Sequence, residues 1–151
     1  MLISCKEIVN EAEATDSLSS KSIDYSELNI ESVYKINFYS KIDEWTNYLE
    51  LSDYINQLNS NDYSTLIDNK KYLVRFFNGI KNTIPKDINK PEIKSRITVI
   101  ETDFLKLESM LSNFEIDNET RIKIDKKMNN SFSNLNFQID KLLEKQEIIP
   151  E

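Results

Sequence analysis

The chain has 151 residues, of which 39% are hydrophobic and 30% are charged, and its formal net charge is −7. These values are typical of one globular domain rather than of a disordered chain. They offer no basic surface for phosphates, which argues against nucleic-acid binding, and no apolar run reaches the roughly 20 residues that span a bilayer.

The N-terminal tetrapeptide Leu2-Ile3-Ser4-Cys5 contains the only Cys of the chain. It resembles the lipobox at the end of a bacterial lipoprotein signal peptide, in which the Cys is acylated on its thiol and becomes the new N-terminus. The resemblance implies that Cys5 is lipidated and that residues 1–5 are the remnant of a lipoprotein signal. The basic and apolar regions that precede a lipobox are missing here, so Met1 would be a misassigned start or a trimmed end. The alternative is a chance match in a cytosolic protein.

An acidic arm follows. Residues 1–32 hold two Lys against seven acidic residues, a net charge of −5, and include a Ser cluster at 17–20. Weak periodicity and high charge predict a flexible tether over residues 6–32, leading to a helical bundle domain over residues 33–151. An acyl anchor followed by a spacer is the arrangement of a surface-tethered domain.

The scarcity of glycine and proline, one and three residues respectively, favours long helices over tight hairpins. Four helices are predicted, and the third is the clearest because its apolar residues repeat at alternating spacings of four and three. Asn89, Pro91 and Glu92 supply its start signals. Its seam comprises Ile93, Ile97, Ile100, Phe104, Leu107, Leu111 and Phe114.

The other three helices are predicted from similar but weaker patterns. The fourth follows a cap at Asp117 or Asn118 and runs to about Lys145, the second covers about 62–84, and the first covers about 34–59. Residues 33–38 also alternate with period two, and length favours a helix there. Short connections force neighbouring helices to be antiparallel, so the expected fold is an all-α, up-down four-helix bundle.

No constellation for catalysis or metal binding is visible. The chain has no His and only one Gly. It therefore lacks a nucleophile activated by a His base, a di-iron helix motif and a glycine-rich phosphate loop. We expect apolar inward positions throughout the third and fourth helices. The nearby acids are expected to be solvated: Glu101, Asp103, Glu108 and Glu115. The sequence predicts no cofactor, no metal and no enzymatic activity.

Three features are candidates for contacts with other groups. Tyr48 and Tyr54 would form a protein-contact patch if both are exposed. The polar stretch 129–138 is either a solvated helix face or a neutral binding face, and Asn134 within it is a candidate for a semi-buried contact that sets helix register. Arg96 is expected to reach a carboxylate or amide of a neighbouring helix.

Two longer runs carry a family resemblance: P-x-I-x-x-R-x-x-V-x-E at residues 91–101 and S-N-L-N-x-Q-I-D at residues 133–140. With the tetrapeptide that contains Cys5, they resemble small helical lipoproteins of Bacteroidetes of the flavobacterial type, a group without an established activity. The resemblance implies a helical, envelope-anchored domain over about residues 34–145, and it implies no catalytic residues.

The sequence therefore predicts a non-enzymatic, envelope-anchored lipoprotein that acts as a protein-binding or scaffold module. Its partners would be the membrane, through an acyl chain on Cys5, and another envelope protein, at the periplasmic face or the cell surface. Three alternatives remain: an immunity-type protein that neutralises a toxin, a cytosolic helical adaptor if the lipobox is accidental, and an enzyme with an unrecognised site.

Overall fold

Every regular element in the described part of the chain is helical. The computed structural model describes residues 33–113 and 115–148. The elements are α1 (Thr46–Asn59), α2 (Lys70–Asn82), α3 (Pro91–Asn113) and α4 (Asn118–Ile148), with short 3-10 helices at Tyr39–Lys41 and Lys86–Ile88. The predicted all-α class with four helices is confirmed. The lipidation candidate Cys5, the tether at residues 6–32 and the seam residue Phe114 lie outside the described residues.

The four helices share one apolar core. Each helix packs against the next one along the chain, and α1 also packs against α4, so the contacts form a closed ring. The predicted seam of α3 is buried from Ile93 to Leu107, and Phe104 meets the ring of Phe77 from α2 at 5.4 Å between centroids. Burial of such apolar surface is the main stabilising term of the domain.

The predicted position of Pro91 in the first turn of α3 and the predicted cap of α4 are confirmed. Helix α3 begins at Pro91, whose missing N–H costs nothing in the first turn. At the start of α4 the backbone N–H of Thr120 donates to the Asp117 carboxylate over 2.7 Å. This hydrogen bond lowers the pKa of Asp117 below its usual range, as expected for a carboxylate at a helix N-terminus.

The first predicted helix was too long. Helix α1 begins at Thr46, and residues 33–38, here called the strap, are not helical. The strap lies against α4 and is held there by side chains about 100 residues away in the sequence. These tertiary hydrogen bonds replace the local ones that a helix would have made.

The second predicted helix also began too early. Asp62 accepts hydrogen bonds from the N–H and the hydroxyl of Ser64, which forms a turn that competes with helix. Asn61 and Asp68 have φ values of 59° and 55°, a left-handed conformation that interrupts a right-handed helix. Helix α2 therefore begins only at Lys70.

The only Gly of the chain, Gly79, faces α1. A Cβ added there would lie 3.0 Å from the side-chain amide nitrogen of Asn47, which is the far end of a flexible side chain. We expect Gly79→Ala to raise the free energy of unfolding by up to about 1 kcal/mol, because Ala is the better helix former. Urea denaturation measures this effect. A loss of stability would mean that Asn47 cannot move aside, and Asn78→Ala at the exposed neighbouring position is the control.

Candidate functional site

A buried carboxylate on α4 holds the strap in place. Asp140 is 3% exposed. It accepts four kinds of hydrogen bond: from the hydroxyl of Tyr34 (2.8 Å), the backbone N–H of Asn37 (2.9 Å), the side-chain amide of Asn37 (2.8 Å) and the backbone N–H of Phe38 (3.2 Å). These donors compensate the carboxylate for its lost hydration. Its hydrogen bond with Asp140 raises the pKa of Tyr34, because a phenolate would meet the carboxylate's negative charge.

The backbone of Tyr34 is bound to α4 on one side. Its N–H donates to the hydroxyl of Ser133 over 3.0 Å, and its C=O accepts from the side-chain amide of Asn136 over 2.8 Å. The ring of Tyr34 meets the ring of Phe137 edge-on, with centroids 5.6 Å apart. Both backbone groups of one residue therefore point to the same side, as they do in a β-strand.

The same face of α4 also binds α1 through polar side chains. Asn136 accepts a hydrogen bond from the buried hydroxyl of Tyr48 over 3.0 Å. Two turns earlier, Asn129 and Asn59 exchange reciprocal amide hydrogen bonds of 2.9 and 3.0 Å. We call the four buried polar residues on this face the polar ladder: Asp125, Asn129, Asn136 and Asp140.

Burial disfavours the ionisation of Asp125, the first residue of the polar ladder. Burial raises its pKa to about 6, against smaller opposing effects of the hydrogen bond from Tyr63 (2.7 Å) and of the Arg121 charge. The Arg121 guanidinium lies 4.9 Å from the centroid of the Tyr63 ring and donates to Asn61 over 3.0 Å. Asp125 Oδ1 and Arg121 Nε are buried and have no hydrogen-bond partner among the residues that the structure describes.

A solvent-open groove of about 600 Å³ lies beside the strap. Its floor is formed by buried residues of α1 and α4, including Ile55 and Phe132, and its sides by less buried residues of α1 and by the strap with Tyr39. The lining combines apolar, hydroxyl and amide side chains with one lysine: Val33, Tyr34, Lys35, Ile36, Tyr39, Tyr48, Ser52, Ile55, Asn56, Asn59, Phe132 and Asn136. A groove with an apolar floor and a few polar groups is the usual form of a recognition site.

The two tyrosines that would form a protein-contact patch if both were exposed are Tyr48 and Tyr54, and Tyr48 is buried. Tyr48 is only 5% exposed, and its ring stacks between Trp45 and Phe132. Tyr54 is half-buried, and its hydroxyl contacts Glu50 and Tyr72. The condition of joint exposure is thus not met, although Tyr48 lines the groove.

The expectation of apolar inward positions throughout α3 and α4 was wrong. Asp103 and Glu108 of α3 are buried, like the polar ladder of α4. Asp103 accepts from the hydroxyl of Ser131 over 3.0 Å and forms a 2.6 Å ion pair with Lys127. Glu108 accepts from Ser112 over 3.1 Å. Neighbouring hydroxyls and a lysine make burial of these carboxylates tolerable.

The remaining predicted positions have mixed outcomes. Glu101 is half-buried in an ion pair with Lys81, and Glu115 is exposed. Asn134 and Arg96 are exposed. The buried polar contacts that align α4 with α1 are made by Asn129 and Asn136 instead. The polar ladder residues, at positions 125, 129, 136 and 140, are spaced so that they lie on one face of a helix. This spacing is the sequence feature from which a buried polar face of α4 could have been predicted.

Residues 33–113 and 115–148 contain neither a metal-binding cluster nor a membrane-spanning helix. In that part of the chain no group of three or more Asp, Glu, Cys or His residues could hold a metal ion. None of the helices in the same part is long and apolar enough to cross a membrane.

Comparison with protein-family models, with curated proteins and with solved structures found no match. The candidate site is therefore defined by its geometry, and the resemblance to lipoproteins stays a hypothesis that depends on the residues quoted for it.

We expect Asp140→Asn to loosen the strap. An amide has one acceptor oxygen and cannot accept through its nitrogen, so some of the donors from Tyr34, Asn37 and Phe38 lose their partner. The free energy of unfolding should fall by about 1–3 kcal/mol, and the amides of Asn37 and Phe38 should exchange faster with deuterium. Glu144→Gln, one turn later and half-exposed in an ion pair with Lys141, is the control, and equal effects of the two changes would contradict the role of Asp140.

We expect Asp125→Asn to remove a pH dependence of stability. Because burial raises the native pKa from 3.8 to about 6, the native state keeps a proton that the unfolded chain releases between these values. The free energy of unfolding contributed by this carboxyl therefore decreases as the pH rises from about 4 to about 6. The amide retains an oxygen for the Tyr63 hydroxyl, so the variant should be more stable than the parent by up to about 3 kcal/mol at pH 7.

The measurement is urea denaturation of parent and variant at pH 4, 5, 6 and 7. The difference should be largest at pH 7 and should shrink towards pH 4. The control is Asp117→Asn. Because the pKa of Asp117 is lowered in the native state, its carboxylate contributes stability that is lost as the pH falls, so the pH dependence of this variant should have the opposite sign. A pH-independent difference between Asp125→Asn and the parent would show that Asp125 titrates normally.

Proposed function

We propose that this protein is a non-enzymatic, envelope-anchored lipoprotein whose helical domain binds or supports another envelope protein. The anchor is an acyl chain on Cys5, residues 6–32 are an acidic tether, and residues 33–151 are the binding domain. The observation that carries the binding role is the groove beside the strap, which has an apolar floor, hydroxyl and amide walls and an opening to solvent.

We also propose that the domain is an up-down antiparallel bundle, as the sequence predicts. Support comes from the order of the pairs that join α1 to α4: Tyr48, near the start of α1, bonds to Asn136, and Asn59, at its end, bonds to the earlier residue Asn129. A similar order joins α2 to α3, because Asp68, just before α2, bonds to Ser112, while Lys81, near the end of α2, pairs with Glu101. Short connections between the helices favour the same topology.

The anchoring part of the proposal depends on the N-terminal sequence. Leu2-Ile3-Ser4-Cys5 has the residue types of a lipobox, and the acidic arm after it provides a spacer of about 27 residues before Val33. Val33 lines the groove, so the tether joins the domain directly at the proposed binding site. A partner in the groove would therefore lie close to the point of attachment.

The non-enzymatic part of the proposal is supported by composition. The chain has no His, which removes the commonest general base. The groove is lined by amide, hydroxyl and apolar groups with one lysine and without a carboxylate among the described residues. Such a lining suits recognition through hydrogen bonds and packing rather than proton transfer.

We expect Cys5→Ser to abolish membrane attachment. The gene is expressed in a bacterial host from its genomic locus, including the DNA upstream of Met1, and the protein is partitioned between detergent and aqueous phases. The parent should enter the detergent phase because an acyl chain gains about 0.8 kcal/mol for each buried CH₂ group. The variant should enter the aqueous phase.

Ser4→Ala is the matched control, because it keeps a small residue before Cys5 and leaves the acceptor thiol intact. Detergent partitioning of Cys5→Ser equal to that of the parent would overturn acyl anchoring and favour the cytosolic adaptor. The DNA upstream of Met1 gives a second check: it should encode a Lys followed by an apolar run, and an in-frame stop close by would contradict the lipoprotein proposal.

A further inference from the structure

We propose that residues 28–32 of this chain fold over the groove and cover it, so that a partner protein has to displace them. The segment precedes the strap and lies outside the described residues. This inference rests on the proposed function, because it adds a regulatory contact to the proposed binding site. Leu28 and Ile30 would pack towards the floor of the groove, and the polar Asn29 and Glu31, which alternate with them, would face solvent.

The first support is the place where the segment joins the domain. Val33 is partly buried against the apolar core and lines the groove. The residues before it therefore start at the edge of the groove, and no linker separates them from it. A segment attached this closely has an effective concentration of about millimolar. A second copy of the chain or a free partner at lower concentration would need a higher affinity to occupy the same space.

The second support is the direction of the strap along α4. The backbone N–H of Phe38 donates to Asp140, and that of Tyr34, four residues earlier, donates to Ser133. A step back along the strap is thus a step back along α4, from residue 140 to residue 133, which is a rise of about 10 Å. The strap therefore runs parallel to α4, and its earlier residues lie nearer the start of that helix.

The groove extends in the same direction. Two contacts between α1 and α4 mark its length, because Tyr48 bonds to Asn136 and Asn59 bonds to Asn129. Tyr48, Asn136 and Asn59 all line the groove, so it runs back along α4 from residue 136 to the level of residue 129. A chain that keeps the direction of the strap before Val33 therefore follows the groove.

The third support is the match between the segment and the lining. Ile55 and Phe132 form part of the apolar floor, and Leu28 and Ile30 are the apolar residues of the arm nearest to the strap. The described lining holds no carboxylate, so Glu31 meets no like charge there. Burial of two apolar side chains is opposed by the ordering of about five backbone residues. These terms are of similar size, so a partner can displace the cover.

The direct test is methyl NMR of the full 151-residue chain. Nuclear Overhauser contacts should join the methyl groups of Ile30 to those of Ile55 or to the ring of Phe132. Absence of any contact between residues 28–32 and the groove would overturn the inference. A mixture of labelled and unlabelled chains shows whether the contacts form within one chain. Contacts found only between chains would assign the groove to a second copy and would also overturn the inference.

A competition experiment measures how tightly the cover is held. A fluorescent peptide with the sequence of residues 25–32 is titrated by fluorescence anisotropy against the full chain and its variants. Because the attached segment competes with the peptide, the parent should bind it weakly. Leu28→Ser combined with Ile30→Ser, here called the opened chain, should bind it at least about tenfold more tightly. Ile8→Ser combined with Val9→Ser, the same changes far from the strap, should differ from the parent by less than about twofold.

A second pair of variants tests whether the peptide binds in the groove. In the opened chain, Asn56→Arg obstructs the groove and should weaken peptide binding by at least about tenfold. Asn78→Arg, the same change at an exposed position on α2, should alter it by less than about twofold. Circular dichroism confirms that each variant is folded. Binding that Asn56→Arg leaves unchanged would place the peptide elsewhere and overturn the inference.

The outcomes separate this inference from the proposed function. A peptide that binds equally to the parent and to the opened chain would overturn the cover while leaving the groove as a binding site. A peptide that binds to neither would overturn the inference as well. Neither result changes the detergent partitioning of Cys5→Ser, which tests the anchor independently.

Discussion

The arrangement of the domain depends on one buried carboxylate. Asp140 takes four kinds of hydrogen bond from the strap, and a charge buried this deeply is stable only while such donors surround it. The need to satisfy Asp140 keeps the strap in an irregular conformation instead of a helix. Because the strap lies against α4, it becomes one wall of the groove. The same hydrogen bonds therefore determine both the N-terminal boundary of α1 and the shape of the candidate site.

The polar ladder and the apolar core have different roles. Apolar burial is non-directional and drives collapse, but seams of Ile, Leu and Phe permit several helix registers of similar energy. The amide pair of Asn59 with Asn129, and the Tyr48 hydroxyl on Asn136, are directional and require one alignment of α1 with α4. Each such bond adds only about 1 kcal/mol of net stability. The larger consequence is specificity, because any shifted register would bury these amides without partners.

The proposed function follows from the same features. A strap held by side chains of α4 forms one wall of the groove. The groove beside it combines an apolar floor with neutral polar walls, and Val33 connects it directly to the acidic arm. Membrane attachment and partner recognition would thus meet at one end of the chain. A soluble scaffold needs only the second feature, so Cys5 is the residue that distinguishes the two hypotheses.

Local signals in the sequence determined the all-α class, the seam of α3 and the starts of α3 and α4. Hydrophobic periodicity and helix-start residues such as Pro91 and Asp117 act through neighbouring residues, so they can be read from the sequence. The left-handed Asn61 and Asp68 and the Asp62 turn shortened α2 through equally local effects, but turn-forming residues do not show on their own that a helix stops. The strap and the burial of Asp140 were decided only by tertiary structure. Their partners lie about 100 residues apart, as Tyr34 and Asp140 do, and an acidic residue between apolar positions looks solvated until its donors are brought to it.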